Sequence, residues 1–218
     1  MKDVIIFPFG GNAKEAVSVI NAINKVTPEY NIIGFLDDNK ALKDAEFAGY
    51  KVLGGHNLLE NYPDAFVLAV PGSPDNYLSR DRVINLLNID KSRFITAIHP
   101  SVIIGEEVNI GFNTLVMPGV VITADVNIGN HCVILPNTVI SHDSTVNDYC
   151  MIGSNVSISG SVNINKKSYI GTGSKIINNI DIAENTLVGI GSVVIRPTSI
   201  GDVVAGSPAK VLRKQPLE

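Results

Sequence analysis

The sequence predicts an α/β Rossmann-like N-terminal domain followed by an all-β parallel β-helix. Two observations predict this order. The first hundred residues alternate strand-like and helix-like segments, and an aliphatic residue then recurs at every sixth position from Ile104 onward. We place the boundary so that the first domain covers residues 1–97 and the second covers residues 98–218.

Short apolar runs and longer amphipathic runs define the predicted elements of the first domain. They predict strands at residues 4–7, 31–36 and 66–70, and helices at residues 14–25 and 80–87. Strands that alternate with helices favour a parallel sheet covered by the helices. The sequence therefore predicts a small parallel α/β unit.

A turn and an acidic pair in this domain are candidates for binding a nucleotide. Gly10, Gly11 and Asn12 follow the first strand and open the first helix, where free N–H groups and the helix dipole can receive a phosphate. Asp37 and Asp38 end the second strand, where an acidic side chain meets a ribose or a base. The complete GxGxxG motif is absent, which argues against a redox dinucleotide. We interpret the region as a nucleotide-sugar site, with a purely structural turn as the alternative.

The second domain is predicted from its period of six residues. Neither a helical period nor a two-residue alternation keeps this register, whereas a parallel β-helix does, with three hexads to a coil and coils stacked about 4.8 Å apart. The residue two places before the aliphatic position is usually small or β-branched, as at Cys132 and Ser144. The aliphatic positions, all Ile or Val, are Ile104, Ile110, Val116, Ile122, Ile128, Ile134, Ile140, Val146, Ile152, Ile158, Ile164, Ile170, Ile176, Ile182, Val188, Val194 and Ile200.

Residues eighteen apart should lie above one another in such a coil. Cys132 and Cys150 form one such pair, and we expect both to be reduced core residues because parallel stacked side chains suit a disulfide poorly. Asn109, Asn127 and Asn163 share another column, for which we predict a structural amide ladder.

Composition narrows the class of partner. The net charge is −4 and the pI is near 5.6, so the chain lacks the basic character that nucleic-acid binding requires. No apolar run reaches the roughly 18 residues of a membrane span, and no signal peptide is evident. We therefore expect a cytoplasmic protein that does not insert into membranes.

Several segments resemble a known family. The unbroken hexads, the ending AGSPAK at 205–210, GGNAKE at 10–15, FLDD at 35–38 and GYKVLGG at 49–55 resemble the hexapeptide-repeat acyltransferases. The closer likeness is to the bacterial sugar acetyltransferases of the PglD and NeuD type, and it covers essentially the whole chain. The resemblance implies a left-handed parallel β-helix, a homotrimer, acetyl-CoA as co-substrate and no metal.

Acetyl transfer to an amine needs a base and a group that stabilises the developing oxyanion. His142 is predicted at a coil corner with Asp143 beside it, and Gly160 follows one coil later. The histidine and acidic residue match the family's motif in phase with the hexads. The resemblance thus implies that His142 is the general base, that Asp143 holds its tautomer and that Gly160 donates to the oxyanion.

The resemblance also implies cofactor contacts at Met151, Thr172 and Ile190. The family commonly has a histidine where this chain has Met151, so that contact would be apolar packing. Asn12 likewise stands where a histidine is usual in the first domain.

We hypothesise N-acetylation of a nucleotide-linked amino sugar, of the UDP-4-amino-4,6-dideoxy type, in bacterial surface glycan biosynthesis. One alternative is O-acetylation of a sugar hydroxyl of the sialic acid type, which demands more of the base because an alcohol must be deprotonated as it attacks. Another is a non-catalytic β-helical scaffold, against which the phase of His142 and Asp143 argues.

Overall fold

The computed structural model describes residues 1–216. Its first domain holds five strands and two α-helices, joined by four short 3-10 helices at Lys40–Leu42, His56–Asn61, Tyr77–Ser79 and Lys91–Arg93. Within residues 1–216, no helix is long and apolar enough to cross a bilayer. The strands and α-helices are β1 (Lys2–Phe7), α1 (Gly11–Val26), β2 (Tyr30–Leu36), β3 (Glu46–Phe47), β4 (Tyr50–Gly54), β5 (Phe66–Ala69) and α2 (Arg80–Asn85).

The five strands form one sheet in the order β3-β4-β2-β1-β5. Strands β4, β2, β1 and β5 are parallel, as predicted, but β3 runs antiparallel to β4. The sheet is therefore mixed at one edge, where the prediction of a parallel sheet is wrong. Residues 48 and 49, with φ angles of 53° and 86°, form a turn too short for a crossover, and only an antiparallel neighbour can follow it.

The second domain is a parallel β-helix of two-residue strands. Three sheets form the three walls of the coil. Wall A contains β7, β10, β13, β16, β19 and β22; wall B contains β8, β11, β14, β17 and β20; wall C contains β6, β9, β12, β15, β18 and β21 and ends in a hairpin of β23 and β24. The strands are β6 (Ala97–Ile98), β7 (Ile103–Ile104), β8 (Asn109–Ile110), β9 (Leu115–Val116), β10 (Val121–Ile122), β11 (Asn127–Ile128), β12 (Val133–Ile134), β13 (Val139–Ile140), β14 (Thr145–Val146), β15 (Met151–Ile152), β16 (Ser157–Ile158), β17 (Asn163–Ile164), β18 (Tyr169–Ile170), β19 (Lys175–Ile176), β20 (Asp181–Ile182), β21 (Leu187–Val188), β22 (Val193–Val194), β23 (Asp202–Gly206) and β24 (Ala209–Lys214).

Each corner of the coil turns through a residue in the left-handed backbone region. Every sixth residue from 107 to 191 has a positive φ, and most of these residues are Asn, Asp or Gly. These types adopt the left-handed conformation at the lowest cost. The repeat is thus set by two signals in phase, an aliphatic residue inside and a turn residue three positions later.

The predicted aliphatic positions fill the interior over most of the coil. Those from Val116 to Val194 are buried, with at most 3% of their surface exposed. The two ends of the predicted series are wrong, since Ile104 is 44% exposed and Ile200 is 52% exposed. No coil covers Ile104, and near the other end the chain leaves its phase, so that Val204 pairs with Val188 in place of a residue eighteen positions on.

Two predictions about stacked residues have different outcomes. Cys132 and Cys150 are free and fully buried, as predicted. The amide ladder is confirmed only between Asn109 and Asn127, whose side chains are joined by a 3.1 Å hydrogen bond. Asn163 instead accepts from Asn147, at 2.9 Å.

Wall C carries the first domain. Its outward residues Leu115, Val133 and Met151 are buried in one cluster with residues of the first sheet and of α1, among them Val4 and Ala16. The first domain therefore lies against one wall of the coil and leaves walls A and B uncovered.

Candidate active site

His142 lies on the corner between walls A and B. It follows β13 and precedes β14, and 65% of its side chain is exposed. In a triangular coil this corner is the edge opposite wall C. One chain alone therefore places His142 on the side of the coil that faces away from its own first domain.

The imidazole of His142 is held by the next residue. Asp143 adopts a φ of 60°, which turns its carboxylate back, so that Oδ2 lies 2.6 Å from His142 Nδ1. A carboxylate oxygen at that distance accepts a hydrogen bond from Nδ1–H and so favours the tautomer with hydrogen on Nδ1. Nε2 then carries the lone pair that a general base needs.

Gly160 lies directly against this imidazole. A Cβ atom at Gly160 would be 2.5 Å from His142 Cε1 and 2.7 Å from Nε2, so only glycine leaves room for the ring. No acceptor within residues 1–216 is in hydrogen-bond reach of the Gly160 N–H group. The coil thus brings His142, Asp143 and Gly160 together, as the eighteen-residue spacing predicted.

The three predicted cofactor residues do not share one surface. Thr172 and Ile190 stack on the corner between walls C and A, where Gly191 N donates to Thr172 O at 2.8 Å, and Ile190 is 79% exposed. Met151 is 4% exposed and points into the boundary between the domains. Its side chain is therefore absent from the surface that Thr172 and Ile190 share, because wall C is covered by the first domain.

The glycine turn of the first domain opens onto free space. A Cβ atom at Gly10 or Gly11 would meet no atom within 4 Å, and α1 has neither a side-chain cap nor an acidic residue in its first turn. Its first N–H groups suit an anion. The Asn12 amide group is already used, since Nδ2 donates to Val70 O at 3.1 Å and to Gly72 O at 3.3 Å.

Asp37 and Asp38 line a surface pocket of about 410 Å³ together with Lys40 and Lys43. Asp38 Oδ1 accepts from the His56 N–H group and lies 2.8 Å from His56 Nδ1. Because β1 and β2 are neighbouring parallel strands, this pocket and the glycine turn lie at the same edge of the sheet. The contact between His56 and Asp38 could not be predicted from the sequence, because the two residues are eighteen positions apart in a domain that has no repeat to relate them.

Two family models match separate parts of the chain. Residues 3–85 match the model of the PglD N-terminal domain, and residues 107–142 match that of the bacterial transferase hexapeptide (six repeats). No curated protein sequence matches the chain.

Solved structures match almost the whole chain. A histidine mutant of perosamine N-acetyltransferase from Caulobacter crescentus, in complex with CoA and GDP-perosamine, is 25% identical with a TM-score of 0.84, and 98% of each chain is covered. WeeI from Acinetobacter baumannii AYE is 24% identical with a TM-score of 0.83, covering 97% of this chain and 100% of the other. The acetyltransferase domain of PglB from Neisseria gonorrhoeae FA1090, in complex with acetyl coenzyme A, is 22% identical with a TM-score of 0.84, covering 97% and 99%. The last two show a shared fold.

Proposed function

We propose, from the chain's place among the PglD-type hexapeptide-repeat acetyltransferases, that it transfers the acetyl group of acetyl-CoA to the amine of a nucleotide-linked amino sugar. The observation that carries this proposal is the arrangement at one coil corner, where Asp143 Oδ2 lies 2.6 Å from His142 Nδ1 and the imidazole lies on Gly160. This corner offers a base, a group that orients it and a free N–H donor.

The chemistry assigns one task to each group. The amine nitrogen attacks the thioester carbonyl carbon while His142 Nε2 takes a proton from it, and the C–S bond then breaks. The proton passes to the CoA thiolate, which leaves as the thiol. Asp143 keeps the imidazole in the right tautomer and stabilises its protonated form, and the Gly160 N–H group donates to the carbonyl oxygen as it becomes negative.

The cofactor would run along wall A. This wall lies between the corner of Thr172 and Ile190 and the corner of His142, and its outward residues include the exposed Ser157 and Lys175. Lys175 would meet a phosphate of CoA. Met151 takes no part in this path, because it is buried between the domains.

The nucleotide part of the acceptor would bind in the first domain. The open turn at Gly10 and Gly11 would receive the phosphates, and the pocket at Asp37 and Asp38 would receive the ribose or base. The perosamine N-acetyltransferase structure, in complex with CoA and GDP-perosamine, supports an acceptor of this class.

A homotrimer would complete the site. His142 lies on the edge opposite the wall that carries its own first domain, so acceptor and base can meet only across copies. We propose that the His142 corner of one copy faces the first domain of its neighbour, in a ring with threefold symmetry. A monomer by light scattering at assay concentration would contradict this arrangement.

Incubation with acetyl-CoA and a panel of UDP-, GDP-, dTDP- and CMP-linked amino sugars tests the proposed function. We expect thiol release with one member of the panel and a product heavier by one acetyl group in mass spectrometry. The matching sugar with a hydroxyl in place of the amine is the control, and its acetylation instead would make the enzyme an O-acetyltransferase. No thiol release with any member would refute the proposal.

A further inference from the structure

Arg80 is a buried cation that forms no ion pair within residues 1–216. It begins α2 and is 1% exposed. Burial lowers the pKa of its guanidinium to about 10, which leaves it charged at neutral pH. Such a charge is costly to bury unless hydrogen bonds satisfy it.

The hydrogen bonds of Arg80 join the two domains. Nη1 donates to Pro71 O in the first domain. Nη2 donates to His131 O, and Nε donates to Tyr149 O at 3.1 Å, both in the β-helix. The planar guanidinium holds its donors in a fixed geometry, so it fixes the position of Pro71 relative to the coil.

Pro71 belongs to a segment that packs closely on Arg80. The next residue, Gly72, has a φ of 131°, and a Cβ atom there would lie 2.8 Å from Arg80 Nη1 and 2.5 Å from Met151 Sδ. Only glycine fits this backbone conformation and this space. The segment from Val70 to Gly72 is thus seated on Arg80 and the coil.

The other side of the same segment holds the glycine turn. Asn12 Nδ2 donates to Val70 O and to Gly72 O, and Asn12 directly follows Gly10 and Gly11. A continuous path of hydrogen bonds and main chain therefore leads from the coil, through Arg80, to the turn at the start of α1.

We propose that Arg80 is a positioning residue that fixes the nucleotide-binding turn against the β-helix and thereby sets the affinity for the nucleotide part of the acceptor. This inference rests on the proposed function. A small displacement of the turn would weaken phosphate binding, because that binding depends on the exact position of the N–H donors. The groups at His142 would stay in place.

Other contacts keep the domains together without Arg80. Lys167 Nζ lies 2.5 Å from Asp81 Oδ2, and the Tyr77 hydroxyl donates to Asn185 O at 2.9 Å. The apolar cluster on wall C adds to these contacts. An Arg80→Lys variant should therefore fold, and its defect should be local to the turn.

The steady-state kinetics of Arg80→Lys test the inference. A lysine can reach one of the three carbonyls, so we expect the KM for the nucleotide sugar to rise about tenfold while kcat and the KM for acetyl-CoA change less than about twofold. Arg93→Lys is the matched control. Arg93 also donates to carbonyls, at Tyr62 and Ala65, but all of them lie in the first domain, and we expect its KM values to stay unchanged.

A double-mutant cycle separates coupling from a general loss of structure. Asn12→Ala breaks the same path at its other end. The KM of the double variant for the nucleotide sugar should therefore be no higher than that of the single variant with the higher KM, whereas independent effects would multiply. An unchanged nucleotide-sugar KM in Arg80→Lys, or multiplying effects in the cycle, would overturn the inference. If Arg80→Lys does not fold, an unchanged KM in Asn12→Ala alone overturns it. A wild-type protein without turnover would refute the proposed function instead.

Discussion

At the scale of single residues, the site depends on a backbone conformation as much as on residue type. Asp143 reaches the imidazole beside it because its φ of 60° bends the chain at the corner. In a regular strand the two neighbouring side chains would point to opposite faces. The repeat therefore does more than stack residues, since its left-handed corners let Asp143 orient the imidazole of the residue before it.

Replacing Asp143 by Asn should lower kcat about a hundredfold, because the amide no longer favours the tautomer with its lone pair on Nε2. Asp125→Asn is the matched control, since Asp125 occupies the same corner position one coil earlier, with a φ of 52°, beside Ala124. Steady-state kinetics of the two variants give the comparison. Equal activities would show that the carboxylate of Asp143 has no part in the reaction.

The surroundings of His131 keep its imidazole unprotonated. Asn113 Oδ1 accepts from Ala69 N at 2.7 Å, which leaves its Nδ2 group to donate to His131 Nδ1 at 2.8 Å. Burial, aided by the nearby Arg80 charge, lowers the pKa of His131 to about 4. The ring is therefore neutral in the folded protein and cannot gain a proton on Nδ1 without losing this bond.

This lowered pKa predicts a pH dependence of stability. Between pH 6.5 and pH 4 the unfolded chain binds a proton at His131 that the folded chain does not, so acid favours unfolding. The stabilisation is present above pH 6.5 and decreases by roughly 3 kcal/mol as the pH falls to about 4. Urea unfolding of the wild type and of His131→Gln at pH 7 and pH 5 measures it. We expect a smaller loss between these pH values in the variant, and an equal loss in both would contradict the assignment.

At the scale of elements, the coil was the most predictable part of the molecule. Its period determines which side chains point inward, which residues stack and where the corners lie, so the contact of His142 with Gly160 followed from the spacing. The coil ends were not predictable from the period, because Ile104 and Ile200 continue the pattern where no neighbouring coil covers them. Strand β3 and the contacts of Arg80 also escaped prediction, since a short edge hairpin and a lone arginine leave no periodic signal.

Two alanine substitutions at the same position of the six-residue repeat should differ in how much they lower the free energy of unfolding. Ile158 is fully buried, whereas Ile104 is 44% exposed. We expect Ile158→Ala to lower the free energy of unfolding by about 2–5 kcal/mol and Ile104→Ala to lower it by less than about 1 kcal/mol. Chemical denaturation at neutral pH measures both values. Similar losses would mean that the first coil is covered in solution.

At the scale of the whole molecule, the two halves of the proposed reaction lie on opposite sides of one chain. Wall C carries the first domain, while the corner between walls A and B carries His142. In the proposed trimer, a complete site would therefore take its base from one copy and its acceptor from another. On this proposal, assembly into the trimer is part of the mechanism.

Mixing two inactive variants tests that division. We expect His142→Ala and Gly10→Asp each to be inactive, the second because a carboxylate at the turn repels the phosphates. Co-expressed in equal amounts, they should regain about a quarter of wild-type activity, because each site draws its two halves from independent copies. Activity of the co-purified mixture, assayed with the acceptor found in the panel, measures this. If the base and the first domain of one copy acted together, the mixture would stay inactive.

The most direct test of the account is the rate of acetyl transfer by His142→Asn. Asparagine keeps a polar group on the corner but has no imidazole nitrogen to take the proton. We predict that kcat falls by about a hundredfold to ten-thousandfold, while calorimetry shows acetyl-CoA binding unchanged. A kcat equal to that of the wild type would contradict the assignment of His142 as the base and, with it, the mechanism at this corner.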